Sequence, residues 1–266
     1  SGATVNITNT GTITQGTNTF GSKNSYSMTI DAQSSTDVIN FDNSGTISTA
    51  SRAFLLGGTT NFTLTNSGTI EGDGYNHDGI GNTATALASH NFSIVELGTS
   101  GSGATIINSG TISAHQKNHH AITIGNDAAN AAHSNATITN SGTIAGSTLA
   151  TSTVGRAILI IPASSGTGTS GTTINVKGAA VFTGGIDLGK TSSTIVLDSS
   201  VSTNITIQIY NYKDVEDNKL TVTNNLSGND TFNLTSEDLD SDGDDDDGVL
   251  TINKGPTLSS SSPADG

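Results

Sequence analysis

The chain has no cysteine and no tryptophan, and only 4% of its 266 residues are aromatic. Without cysteine there is no disulfide framework, no thiolate metal site and no thiol nucleophile. With so few large rings, a compact globule packed around bulky side chains does not fit either. Charge is scarce at 12%, and it runs one way: 9 Lys and Arg against 23 Asp and Glu give a formal net charge of −14. The few basic residues are scattered, which argues against nucleic acid or an anionic membrane surface as partner. No apolar run approaches about 18 residues, so no segment of this chain reads as inserting into a membrane. Low charge density and evenly placed Ile, Val and Leu argue equally against disorder. Gly, Ser, Thr and Asn make up much of the remainder, which suits short strands joined by polar turns.

What is present is a repeat. Ile138-Thr139-Asn140-Ser141-Gly142-Thr143-Ile144 recurs in close form at 7–13, 41–47, 64–70 and 107–112, so each copy marks the same corner of a stacked unit. The period of two in a strand puts Ile138 inward, Thr139 outward and Asn140 inward at the bend. Stacked asparagines can then bond from coil to coil and satisfy amides that would be costly to bury alone. Gly142 is expected to take positive φ at the corner, after which Thr143 and Ile144 open the next strand. A second recurring strand follows at 52–56, 120–124 and 156–160, with a looser copy at 27–30. Successive repeat asparagines (9, 43, 66, 108, 140) are 34, 23, 42 and 32 residues apart. The shortest interval is near one coil, and the longer ones carry insertions between Ile13 and Ser27, Ile70 and Gly79, and Ile144 and Ala157, expected to protrude from one side.

The fold class this predicts is all-β: a right-handed parallel β-helix, or solenoid, over 1–200 in roughly eight to ten coils. A β-rich cap with an acidic segment over 201–254 and a linker or the start of a following module at 255–266 complete the chain. An antiparallel β-sandwich has similar turns, but gives no reason for one turn sequence to return at successive positions.

The repeated Ile-Thr-Asn-Ser-Gly-Thr-Ile unit resembles the passenger domains of bacterial autotransporters and related β-helical surface adhesins. The stretch 176–189 with Ser193-Thr194-Ile195-Val196-Leu197 is similar to the last coils of such passengers. The final residues, 255–266, resemble the opening strand of bacterial immunoglobulin-like domains. The resemblance implies a β-helix on a secreted or cell-surface, outer membrane-attached protein. It does not imply a particular partner.

Chemistry-bearing constellations are few. Asp238, Asp240, Asp242, Asp244 and Asp246 follow the D-x-D-x-D-G opening of a calcium loop, in which closely spaced carboxylates supply hard oxygen ligands. The twelfth position, Val249, replaces the usual bidentate Glu, and a solvated acidic linker is the alternative. The most polar insertion holds Asp73, Tyr75, His77 and Asp78, the first place to look for a ligand. Tyr210 and Tyr212 could stack on sugars or anchor a protein, or simply close the end of the helix. His115, His119 and His120 lack the companion carboxylate spacing of a metal site, and His120 aligns with Arg52 and Arg156 on an outward face. Some β-helices cleave polysaccharides with clustered carboxylates, yet no such pair stands out, so no enzyme is expected. Adhesion to a host or neighbouring cell surface, a glycan or a like molecule is the leading expectation, with calcium as the implied cofactor. A carbohydrate-active enzyme and a non-binding stalk are the alternatives.

Overall fold

The computed structural model describes residues 2–14, 26–31, 36–49, 52–57, 61–72, 93–97, 103–115, 119–125, 135–148, 155–161, 171–213, 219–240, 243 and 245–255. The first three coils hold β1 (Thr4–Asn9), β2 (Thr12–Thr14) and β3 (Tyr26–Asp31); β4 (Val38–Asn43), β5 (Thr46–Thr49) and β6 (Arg52–Gly57); and β7 (Asn61–Asn66), β8 (Thr69–Gly72) and β9 (Ser93–Leu97). The next three hold β10 (Thr105–Asn108), β11 (Thr111–Ala114) and β12 (His120–Ile124); β13 (Thr137–Asn140), β14 (Thr143–Ala145) and β15 (Ile158–Ile160); and β16 (Thr172–Val176), β17 (Val181–Thr183) and β18 (Ile186–Asp187). The chain ends with β19 (Ser193–Leu197), β20 (Ile205–Tyr210), β21 (Leu220–Asn224), β22 (Thr231–Glu237) and β23 (Asp247–Asn253).

Every third strand stacks on its counterpart. Sheet A runs β1-β4-β7-β10-β13-β16-β19-β21, sheet B runs β2-β5-β8-β11-β14-β17, and sheet C runs from β3 through β6, β9, β12, β15 and β18 to β20, β23 and β22. All pairings are parallel except β20 with β23 and β23 with β22. This is the parallel β-helix that the repeat predicts. Eight strands in sheet A make a stack about 34 Å tall at the usual strand spacing, the low end of the expected coil number because insertions take up chain. Parallel pairing runs past residue 200, through β20 and β21.

Inward positions form unbroken apolar columns. Ile106, Ile138, Ile174 and Ile195 line sheet A, Ile47, Ile70, Ile112 and Ile144 line sheet B, and Val95, Ile122, Ile158, Ile186 and Ile209 line sheet C, all buried. β-Branched side chains suit this pleated stacking, and each buried one contributes about 2 kcal/mol of hydrophobic transfer. Phe41 and Phe54 meet edge to face at 4.9 Å across the interior.

At the A-to-B corner the asparagines stack as expected. Asn43, Asn66, Asn108 and Asn140 are buried, linked by Nδ2 to Oδ1 bonds of 2.7–2.9 Å. The glycine expectation is corrected. Gly45, Gly68, Gly110 and Gly142 do not have positive φ. Each instead sits where a Cβ would lie 2.0–2.2 Å from a carbonyl oxygen of the preceding coil. Close approach of backbones, not a left-handed turn, demands glycine there. The ladder stops after Asn140, where Val176 and Leu197 take the column.

The three insertions read from the sequence all fall between a sheet B strand and a sheet C strand, whereas the first five A-to-B corners are two residues each. At the far end, β23 turns back against β20. Leu250 and Ile252 are buried there, and Phe232 and Leu234 pack against the same core.

Candidate functional site

Two faces of the rod are almost free of charge. Parallel in-register pairing aligns Asn6, Asn40, Thr63, Thr105, Thr137, Thr173, Thr194 and Thr221 in one outward column of sheet A. Sheet B aligns Thr12, Thr46, Thr69, Thr111 and Thr143. Among the outward residues of these two sheets the charged ones are Asp42 and Glu71. The two-residue corners bring no insertion between them, so hydroxyls and methyls repeat at about 4.8 Å along both faces. Sequence reading missed this. Thr-x-Thr steps do not recur in every coil, and the column appears only once register is known.

Sheet C carries the charges. Arg52 Nε lies 2.8 Å from Glu96 Oε2, with Glu96 buried. The Arg156 guanidinium sits 3.3 Å above the Tyr210 ring and 3.7 Å from Asp187. Glu96, Thr123, Leu159 and Asp187 form one column. Three strand steps, about 14 Å, thus separate the two carboxylates, more than the roughly 9.5 Å that limits a pair working on one glycosidic bond. His120 is half-buried, and its Nδ1 accepts the Arg156 N–H at 2.8 Å. Burial, then the Arg156 charge and His119, hold its ring neutral down to about 3. His115 is exposed, with Nε2 3.2 Å from Ser113 Oγ and 3.8 Å from Glu71.

The acidic run splits on folding. Asp238 and Asp240 are exposed beyond β22, whereas Asp246 is buried with Oδ2 2.9 Å from Lys190 Nζ. Asp247, which the sequence reading did not single out, is fully buried at the start of β23. Its Oδ1 accepts the Asn211 N–H at 2.8 Å, and Oδ2 has no hydrogen-bond partner among the described residues. Burial pushes its carboxyl up to about 6; the Asn211 bond opposes this, and Asp240, Asp246 and Asp187 add to it. Its signal in the sequence was its place at the end of the acidic run, with only Gly248 between it and the apolar Val249-Leu250. Among the described residues no three of His, Cys, Asp or Glu are grouped so as to hold a metal ion. Asp242 and Asp244 lie outside the described residues, as do Asp73, Tyr75, His77 and Asp78. Tyr210 and Tyr212 are brought together at the end of sheet C and are both buried. The Tyr210 hydroxyl donates to Gln208 Oε1 at 3.3 Å, and the Tyr212 hydroxyl lies 2.7 Å from Ser236 Oγ.

Compared with known proteins, the chain matches no family model, no curated protein and no solved structure.

Proposed function

We propose that this β-helix is an adhesin module of a secreted or cell-surface bacterial protein, of the kind the autotransporter-like repeat resembles. Its work is attachment to a cell surface, a glycan or a like molecule, without chemistry. The observation that carries this reading is the pair of nearly uncharged, in-register hydroxyl faces on a chain of net charge −14. Such faces suit broad, shallow contacts along a rod, with insertions at other corners free to add specificity. The wide spacing of Glu96 and Asp187 supports binding over glycoside cleavage. The reading includes calcium at the acidic run, supported by its density of carboxylates.

The test is to display the chain on beads and score aggregation and capture on a glycan and cell panel, with Thr105→Lys and Thr137→Lys as variants on sheet A. Binding weakened by these substitutions at outward-facing, half-buried positions, with the fold intact, is the expected result. Binding to nothing on the panel would sink the proposal. Release of shortened saccharides from a polysaccharide would replace it with an enzyme.

A further inference from the structure

The asparagine ladder has a direction. Asn9, Asn43, Asn66 and Asn108 each donate Nδ2–H to Oδ1 of the asparagine in the following coil, at 2.7, 2.7, 2.8 and 2.9 Å. Asn140 Oδ1 therefore takes two donors, Asn108 Nδ2 and the Gly142 N–H at 3.2 Å. Asn9 Oδ1, first in the series, takes only the Gly11 N–H, also at 3.2 Å, among the described residues.

The same end leaves core positions uncovered. Val5 and Ile7 lie in register with Ile39 and Phe41. They are 46% and 37% exposed, against 9% and 0% for those partners. At the corner, Gly45, Gly68, Gly110 and Gly142 are each pressed by a carbonyl of the coil before them, whereas a Cβ at Gly11 would meet nothing within 4 Å. Gly11 has no positive φ either. Nothing among the described residues of this chain's own coils requires glycine at that position.

We propose that the N-terminal face of the rod is a docking surface for one further parallel coil of the same repeat. That coil presents an asparagine whose Nδ2 donates to Asn9 Oδ1, apolar residues over Val5 and Ile7, and a corner carbonyl against Gly11. The three features call for the same occupant: an open acceptor needs an amide donor, uncovered core positions need apolar cover, and Gly11 fits a close backbone. The edges of β1 and β2, which no described strand pairs, supply the backbone groups to pair with it. A second copy meeting this face head-on does not fit. Its strands would run antiparallel, and two Asn9 Oδ1 acceptors would oppose each other.

The test grafts a copy of residues 38–60, the shortest coil, directly before Thr4 of the full chain, so that the copied asparagine falls in register with Asn9. Melting temperature is read for the graft and for its Asn→Leu form, each on the Asn9 and the Asn9→Leu background. The expected result is a monomer with a raised melting temperature, a gain that shrinks with Leu in the graft only when Asn9 is present. Gly11→Ala is expected to lower the melting temperature of the grafted chain and to leave the ungrafted chain unchanged. A second graft, copied from residues 103–134, guards against one copy failing to fold. No rise from either graft, or an equal rise with Asn and Leu, overturns the proposal. So does an ungrafted chain that dimerises and becomes monomeric on Val5→Asp, since a second copy would then be the occupant.

Discussion

An asparagine inside the ladder holds two neighbours at once. Asn66 Nδ2 reaches Asn108 Oδ1, the Thr111 carbonyl at 3.0 Å and the Gly68 carbonyl at 3.3 Å, while its Oδ1 receives Asn43. Replacing it with Leu takes the ladder donor from the buried Asn108 Oδ1 and one of three acceptors from Asn43 Nδ2, which keeps the Gly45 and Thr69 carbonyls, at a cost of about 3 kcal/mol. Asn140 ends the series, with Val176 beyond it in the column, so Asn140→Leu takes one bond each from Asn108 Nδ2 and the Gly142 N–H but leaves no asparagine acceptor beyond it unfilled, and costs less. Urea unfolding of the two variants should rank them in that order; equal effects would mean that the ladder adds nothing beyond local packing. His120 sets a second expectation. Its ring is neutral in the fold down to about 3, whereas the unfolded chain protonates it near 6.5. Its stabilising contribution is therefore full above pH 6.5 and is lost as pH falls from there toward 3. The melting temperature should drop on acidification through that window, and His120→Gln should flatten the drop.

Elements at the C-terminal end lack the repeat and depend on pairing that changes direction. β23 takes the edge of β20 antiparallel, covering Ile205, Ile207 and Ile209 with help from Leu250 and Ile252. Ending the chain at residue 230 bares a parallel edge above an apolar core, and the shortened protein should associate, as light scattering would register. If calcium braces the acidic run between β22 and β23, millimolar Ca²⁺ should raise the melting temperature over EDTA, and an Asp240→Ala, Asp242→Ala double variant should erase the difference. The first five coils were legible in the sequence because Asn-x-Gly corners recur wherever Asn9 to Asn140 must bond and wherever backbones approach too closely for a Cβ. Later strands were harder to read. Val176 and Leu197 replace the asparagine once the column turns apolar, so Thr172–Val176 and Ser193–Leu197 carry no corner signature, and the antiparallel return of β23 has no local signal at all. The Thr column of sheet A was hidden for a related reason, since register joins residues from coils of unequal length. Asp247 was passed over because its burial is decided by Asn211 and β20, far away in sequence.

At the scale of the whole molecule, charge and insertions are kept away from the two-residue corners, and the rod shows different chemistry on different sides. Sheets A and B offer hydroxyls and methyls, while sheet C gathers Arg52, Glu96, Arg156 and Asp187. The ladder bonds and the interstrand bonds both run along the rod axis. A pull on its two ends therefore loads them one coil after another, not all together, so the molecule should peel instead of snapping. Each coil released pays out its own length of chain. Intervals of 23 and 42 residues between Asn43, Asn66 and Asn108 correspond to steps of about 80 Å and about 145 Å. Single-molecule stretching should show these unequal increments as a ruler of insertion length; a single rupture of the whole rod would show that the coils yield together. In the attachment role proposed above, a rod that lengthens in stages under flow would keep its distal end engaged while its base gives way.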